Sequence, residues 1–238
     1  MVWLILEFAN RHLRYVSHTQ NFSAEQVCSE PHTLRSCHYS RQGLQFHPKR
    51  KIVPMKKQVP LNKAKWLVEP GCVVLVTSGT MQKPNVMTFS WQTPVNSAEP
   101  CLILLAISHL RYSYDLIRQN RQLVINVPGQ ELLEQVHFVG QVSGRNSDKF
   151  KETGLTPTPA KTVEPPLIKE CAGHLECRVV DIFKMQTHDL LICQVVRAEA
   201  EADFFDGRWI PEKFHTLHYL GGNKYGLMER AVAAKGST

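Results

Sequence analysis

From Cys72 onward the apolar positions recur mainly with a period of two, interrupted by short stretches of helical spacing. Cys72-Val73-Val74-Leu75-Val76-Thr77-Ser78 is rich in β-branched residues and stops at Gly79, which predicts a strand followed by a turn. Asn85 to Trp91 predicts a second strand, with Met87, Phe89 and Trp91 on one face and Thr88 and Ser90 on the other. Leu102 to Ile107 is apolar almost throughout, the pattern of a strand covered on both sides. Tyr114 to Asn120 predicts a short helix with Leu116 and Ile117 facing inward, and Leu123 to Val127 predicts the next strand. Glu131 to Val139 has apolar residues at 132, 133, 136 and 139, the spacing of an amphipathic helix, and Ser147 to Glu152 adds a helical turn.

The segment from Thr153 to Pro166 contains Pro157, Pro159, Pro165 and Pro166 and is predicted to be a surface loop without regular structure. Two long strands are expected next, Gly173 to Met185 and Leu190 to Ala200, joined around Thr187-His188-Asp189. The acidic run from Ala198 to Asp203 marks their solvated exit. Ile210 to Tyr225 supplies at least one more strand, with Gly221-Gly222-Asn223 as a tight turn. Many strands, three short helices and no βαβ alternation argue for a mainly β, closed antiparallel barrel over a doubly wound sheet.

Residues 1–54 read differently. They are rich in His, Ser, Gln and Arg, and beyond one short helix expected from Val2 to Tyr15 they have no sustained period, so mostly irregular structure is predicted. The domain proper is expected to run from Met55 to Thr238. Met55 is expected to be the natural start, with the upstream residues arising from gene-start placement or from a lineage-specific tail.

Composition narrows the function classes. Of 238 residues, 43% are hydrophobic and 21% charged, ordinary values for a soluble globular protein. No apolar run is long enough to cross a bilayer as a helix. The apolar opening from Val2 to Ala9 lacks a preceding basic flank, so a cytoplasmic location is expected. The formal net charge is +7, but residues 1–54 carry seven basic against three acidic side chains, leaving a net +3 on the rest. That balance gives little support for binding nucleic acid. Seven scattered cysteines read as reduced thiols.

No Gly-rich phosphate loop, nucleophile elbow or paired-His zinc helix is present. Four polar patches at strand ends and turns carry the candidate chemistry. The first is Asn85 to Trp91, which by itself also reads as a half-buried strand. The second is Ser108-His109-Leu110-Arg111-Tyr112-Ser113, where two serine hydroxyls, a guanidinium and the amides of a helix start make a phosphate cradle. The bland alternative makes Ser113 an N-cap and Arg111 a surface charge. The third is Ser143 to Phe150, a Gly-bearing turn with several donors. The fourth is His218 to Tyr225, where glycines permit close approach and aromatics can flank a ring.

Taken in order, the strings NxMTxSW, SxxRYSYxLI, VHFxGxxSGRxxDKF and HLEC closely resemble the flavin-reductase-like family, with flavoredoxins the nearest-looking branch. The resemblance runs from about Lys65 to Tyr225. It implies a six-stranded antiparallel Greek-key split β-barrel that binds FMN non-covalently, usually as a homodimer. Carried over by position, Met87, Thr88, Phe89, Ser90 and Trp91 are expected to line the isoalloxazine and ribityl chain. Ser108, Arg111, Tyr112 and Ser113 are expected to hold the phosphate, and Asn126 to lie near the ribityl chain. Ser143, Gly144, Arg145 and Lys149 are expected to close the pocket. His109-Leu110 departs from the family, whose members often carry Pro and a basic residue there. The implied activity is an FMN-dependent oxidoreductase that takes electrons from NADH or NADPH and gives them to free flavin or a redox protein partner. Two alternatives stay open: an electron carrier of the flavoredoxin sort without nicotinamide turnover, and a flavin-binding module without catalysis. The flavin carries the electron chemistry, so no catalytic base is named.

Cys171, His174 and Cys177 have a spacing that suggests a metal site. A strand there turns 171 and 177 to one face and 174 to the other, and no fourth ligand is nearby, so none is assigned. His137 and His218 read as partly buried, satisfied histidines, with a role beside the flavin as the second possibility. Lys49-Arg50-Lys51 reads as a solvated cluster.

Overall fold

The computed structural model describes residues 71–96 and 98–234. The expected Val2–Tyr15 helix, the boundary at Met55 and the Lys49–Lys51 cluster lie outside the described residues. The described chain runs β1 (Val74–Gly79), β2 (Pro84–Phe89), β3 (Gln92–Pro94), β4 (Leu102–Ser108), α1 (Tyr112–Asn120) and β5 (Gln122–Val127). A 3-10 turn (Gln130–Leu132) leads into α2 (Leu133–Gln141), followed by α3 (Lys149–Thr153), β6 (Pro157–Thr158) and β7 (Leu167–Ile168). The long strands β8 (Gly173–Phe183) and β9 (His188–Ala200) precede a final hairpin, β10 (Leu217–Gly221) and β11 (Lys224–Leu227).

The main sheet has the order β2-β1-β5-β8-β9-β4-β3, antiparallel at every pairing. Its two edges, β2 and β3, are separated in the chain by only Ser90 and Trp91. Phe89 pairs with Val74 on β1, whereas Gln92 pairs with Leu105 on β4. Three residue steps reach roughly 11 Å at most. The sheet must therefore curl until its edges nearly meet, and the bend at Ser90–Trp91 joins them. Trp91 continues the ladder there, its carbonyl accepting from the Ala106 amide at 3.0 Å. Seven named strands thus correspond to six, one of them bent. The expected single strand from Asn85 to Trp91 is broken because it serves two neighbours in turn.

Two apolar clusters explain the strand patterns. Val74, Val76, Met87, Leu105, Ile107, Leu123, Ile125, Cys177 and Leu191 fill the barrel together with Tyr114 and Ile117 of α1. Val73, Leu75 and Val86 face the other way, onto Val136 and Val139 of α2 and Phe150 of α3. Strand β1 is apolar on consecutive positions because both of its faces are covered. Truncating a buried leucine such as Leu75 would cost about 2–5 kcal/mol.

Two expectations change. β4 buries Leu105 and Ile107, but the alternate residues Leu104 and Ala106 are only half-buried, so its second face is not fully covered among the described residues. The proline-dense segment does hold a short ladder, Pro157–Thr158 against Leu167–Ile168. Proline is tolerated there because the strand is an edge and needs no amide from residue 157. Glu176, buried on β8, fastens the loop by accepting from the amides of Lys161 (3.1 Å) and Thr162 (2.6 Å).

Candidate functional site

A cleft of about 550 Å³ opens where the end of β2, the end of β4, the start of α1, the end of α2 and the β10–β11 hairpin converge. That size lies within the usual range for small-molecule and cofactor sites. One end is cationic and rich in hydroxyls. β4 stops at Ser108, and the turn closes as the Arg111 amide donates to the Ser108 carbonyl at 3.1 Å. Arg111 is the N-cap of α1 in an extended conformation, and no side chain caps the helix. The first-turn amides and the positive end of the helix dipole therefore stand beside the guanidinium.

Asn85, buried on β2, organises this end. Its Nδ2 donates to Ser113 Oγ at 2.8 Å and to Ser78 Oγ at 2.9 Å. Ser113 accepts that bond, which leaves its own O–H as a donor. Lys149, the first residue of α3, is also buried and donates to the Val139 carbonyl at 2.8 Å. Burial, with the Arg111 charge adding to it, lowers its ammonium pKa to about 8. Among the described residues no carboxylate pairs with either cation. Two cations held near one another suit an anionic ligand group.

The rest of the cleft is largely apolar and aromatic. Met87, Thr88, Phe89, Ser90 and Trp91 supply one wall, and Trp91 lies 5.0 Å from the His188 ring, centroid to centroid. Tyr219 and Tyr225 of the hairpin, with rings 5.5 Å apart, supply another. His137 Nδ1 lies 3.3 Å from the Tyr225 hydroxyl, whose pKa burial raises, with Tyr219 and Glu134 adding to it. An anion end joined to aromatic walls suits a ligand with a phosphate at one end and a flat ring at the other.

The sequence pattern of the flavin reductase like domain matches residues 69–224, well over half of the chain. The chain belongs to this family. A relative from Archaeoglobus fulgidus, itself uncharacterized, is 39% identical over 134 residues, covering 56% of this chain and 75% of its own. A Rhodococcus opacus protein named as the reductase component of a 4-nitrophenol and 4-nitrocatechol monooxygenase is 28% identical over 153 residues, covering 62% and 78%. Among solved structures, a flavoredoxin from Methanosarcina acetivorans superposes with TM-score 0.67 at 24% identity, covering 76% of this chain and 95% of its own. An FMN-binding protein from Thermus thermophilus gives TM-score 0.66 at 25% identity, covering 76% and 98%.

In this flavin reductase like domain twelve of the fourteen residues expected from the sequence line the cleft: Met87 to Trp91, the Ser108, Arg111, Tyr112 and Ser113 group, and Ser143, Gly144 and Lys149. Asn126 and Arg145 do not. Asn126 is fully buried between strands, where Nδ2 donates to the Leu75 carbonyl (3.0 Å) and Oδ1 accepts from the Ile168 amide (2.9 Å). His174 Nδ1 sits 2.9 Å from the same oxygen. Arg145 turns outward to Asp115 Oδ2 (2.5 Å) and the Leu110 carbonyl (3.2 Å), clipping its turn to α1.

His137, His188, Tyr219 and Tyr225 line the cleft without having been assigned to it, and Asn85, which heads the NxMTxSW string, is the hub beneath it. Tyr219 and Tyr225 were legible as possible ring neighbours in the fourth patch. His218 points elsewhere, with Nε2 3.0 Å from Thr216 Oγ1. Cys171 and Cys177 do not share a face. Cys171 precedes β8 and packs in the outer cluster, whereas Cys177 packs inside the barrel.

Proposed function

We propose that the cleft binds FMN non-covalently and that the protein is an oxidoreductase moving electrons from NADH or NADPH to free flavin or a protein acceptor. The observation that carries this reading is the pair of cations, Arg111 and Lys149, with no carboxylate partner among the described residues, at the hydroxyl-bearing end of a cleft lined elsewhere by aromatic and apolar side chains. The donor chemistry fits a phosphate monoester, and the glycine backbone at 144, packed against Asn85, leaves no room for a side chain there. When bound, the flavin supplies the hydride and electron chemistry. The chain's own residues bind and orient it. Arg111, Ser108, Ser113 and Lys149 hold the anion, while Met87 to Trp91 and the hairpin tyrosines shield the ring from water.

The same reading takes the protein as a cytoplasmic homodimer with no nucleic-acid or membrane partner. The half-covered face of β4 and the exposed Val95, Val180, Phe183 and Met185 support a second copy. No helix among the described residues is long and apolar enough to cross a membrane.

The test is anaerobic addition of NADH, then NADPH, to the FMN-loaded protein. Prompt bleaching near 1:1 supports the reductase reading and names the donor. A flavin that stays oxidised until a reduced redox protein is added would replace it with an electron carrier. A flavin that neither reagent reduces would leave only a binding module.

A further inference from the structure

Behind the anion-binding turn, and outside the cleft lining, lies a fully buried carboxylate. Asp189 is the second residue of β9 and pairs with Ile107 of β4, immediately before the turn begins. Its Oδ1 lies 2.6 Å from His109 Nε2 and accepts from the Met185 amide at 3.2 Å. Its Oδ2 accepts from the Tyr114 hydroxyl at 2.5 Å and from Lys184 Nζ at 2.7 Å. Lys184 also donates to the Tyr114 oxygen at 2.9 Å, which closes a three-membered network. Burial alone would raise the Asp189 carboxyl, but the bonds from Lys184, Tyr114, His109 and the Met185 amide hold it well below the usual carboxylate range. It is an anion at any ordinary pH, and each of its oxygens accepts two bonds.

We propose that Asp189 is a positioning residue for phosphate recognition: by gripping His109 and Tyr114 on either side of Arg111, it fixes the turn that presents Arg111 and Ser108 to the ligand. This rests on the flavin reading of the cleft. His109 stands two residues before Arg111 and Tyr114 three after it, so the turn is held at both ends by one carboxylate. The third anchor is the β8–β9 connection through Lys184 and Met185, which ties the turn to the barrel wall. With Asp189 ionised, His109 carries its proton on Nε2 and donates it. Neither Asp189 nor His109 lines the cleft, so the pair acts on the phosphate through the turn backbone that joins His109 to Arg111.

His109 is the residue to change, because its side chain is 37% exposed and its truncation spares the core. FMN and riboflavin share a ring and differ in the phosphate, so their affinity ratio reads the turn alone. The proposal expects His109→Ala to raise the FMN Kd about tenfold, the scale of one charge-assisted hydrogen bond, with riboflavin almost unchanged. His109→Gln, whose amide N–H can donate to Asp189, should restore most of the loss. Equal weakening of both flavins, no weakening, or a Gln variant no better than the Ala variant would overturn the positioning role. If the unsubstituted protein binds neither flavin, the reading of the cleft falls and this proposal with it. Tight FMN binding with an unshifted ratio in His109→Ala sinks the positioning role alone.

Discussion

The backbone of Gly144 packs so closely on Asn85 that a Cβ at 144 would overlap the Asn85 side-chain carbonyl oxygen and lie 3.2 Å from the Tyr112 ring. Asn85 in turn holds Ser113 and Ser78, so the third sequence patch is pressed directly onto the hub of the second. Gly144→Ala should therefore displace a buried amide rather than a flexible chain end. The expected loss is about 1–3 kcal/mol of stability, as for other overpacked sites, together with weaker binding of FMN. Thermal melts and a fluorescence titration check both. An alanine variant with unchanged melting and affinity would mean that the turn can move aside.

Arg111→Ala removes a cation that no carboxylate partners among the described residues, so little folding energy is at stake. FMN affinity should fall by roughly 10- to 100-fold, the range for losing a charge-assisted bond, while riboflavin affinity changes little. Titrating both flavins into the variant measures this. Equal losses would put Arg111 against the ring end instead.

Lys149 gives a pH signature. Burial and Arg111 lower its pKa to about 8, so in the ligand-free protein its charge is complete below that pH and is lost above it. A phosphate monoester carries its second charge above about pH 6. FMN affinity should fall as pH rises from 7.5 to 9.5, riboflavin affinity should not, and Lys149→Met should abolish the slope. The linked stability effect has the opposite sign. The unfolded chain, with an ordinary lysine, binds more protons between 8 and 10.5, so the ligand-free fold gains stability from this group across that window. Calorimetric titration at the two pH values distinguishes a slope from none.

Asn126→Ala should act on the fold and not on the ligand. It leaves the buried Ile168 amide without its partner and removes the added bond to the Leu75 carbonyl, at about 1–3 kcal/mol for the unsatisfied amide. Chemical denaturation should report the loss while the affinities for both flavins stay close to those of the parent. A large affinity loss at unchanged stability would return Asn126 to the ribityl chain.

The strands, the helices and most of the cleft were legible because period and punctuation are local properties. β1 and β5 follow from their β-branched runs, and α2 from its 3.6-residue spacing. What escaped was set by partners distant in the chain. That Asn85 to Trp91 bends to serve both β1 and β4 depends on which strands flank it, which its alternation does not encode. Asn126 looks like a polar residue aimed at a ligand until Leu75 and Ile168, 51 and 42 residues away, claim both ends of its amide. Arg145 reads as a pocket-closing donor until Asp115, 30 residues away, draws it outward. The Asp189 network is of the same kind, since its His109 and Tyr114 contacts span 80 and 75 residues.

The central claim is that the cleft holds FMN with its phosphate at Arg111 and Lys149. The most direct measurement is a visible absorption and fluorescence titration of the purified protein with FMN at neutral pH, with riboflavin in parallel. The account predicts a saturable, perturbed flavin spectrum at one FMN per chain and clearly weaker binding of riboflavin. No perturbation by FMN at any concentration, or equal affinity for the two flavins, would contradict it.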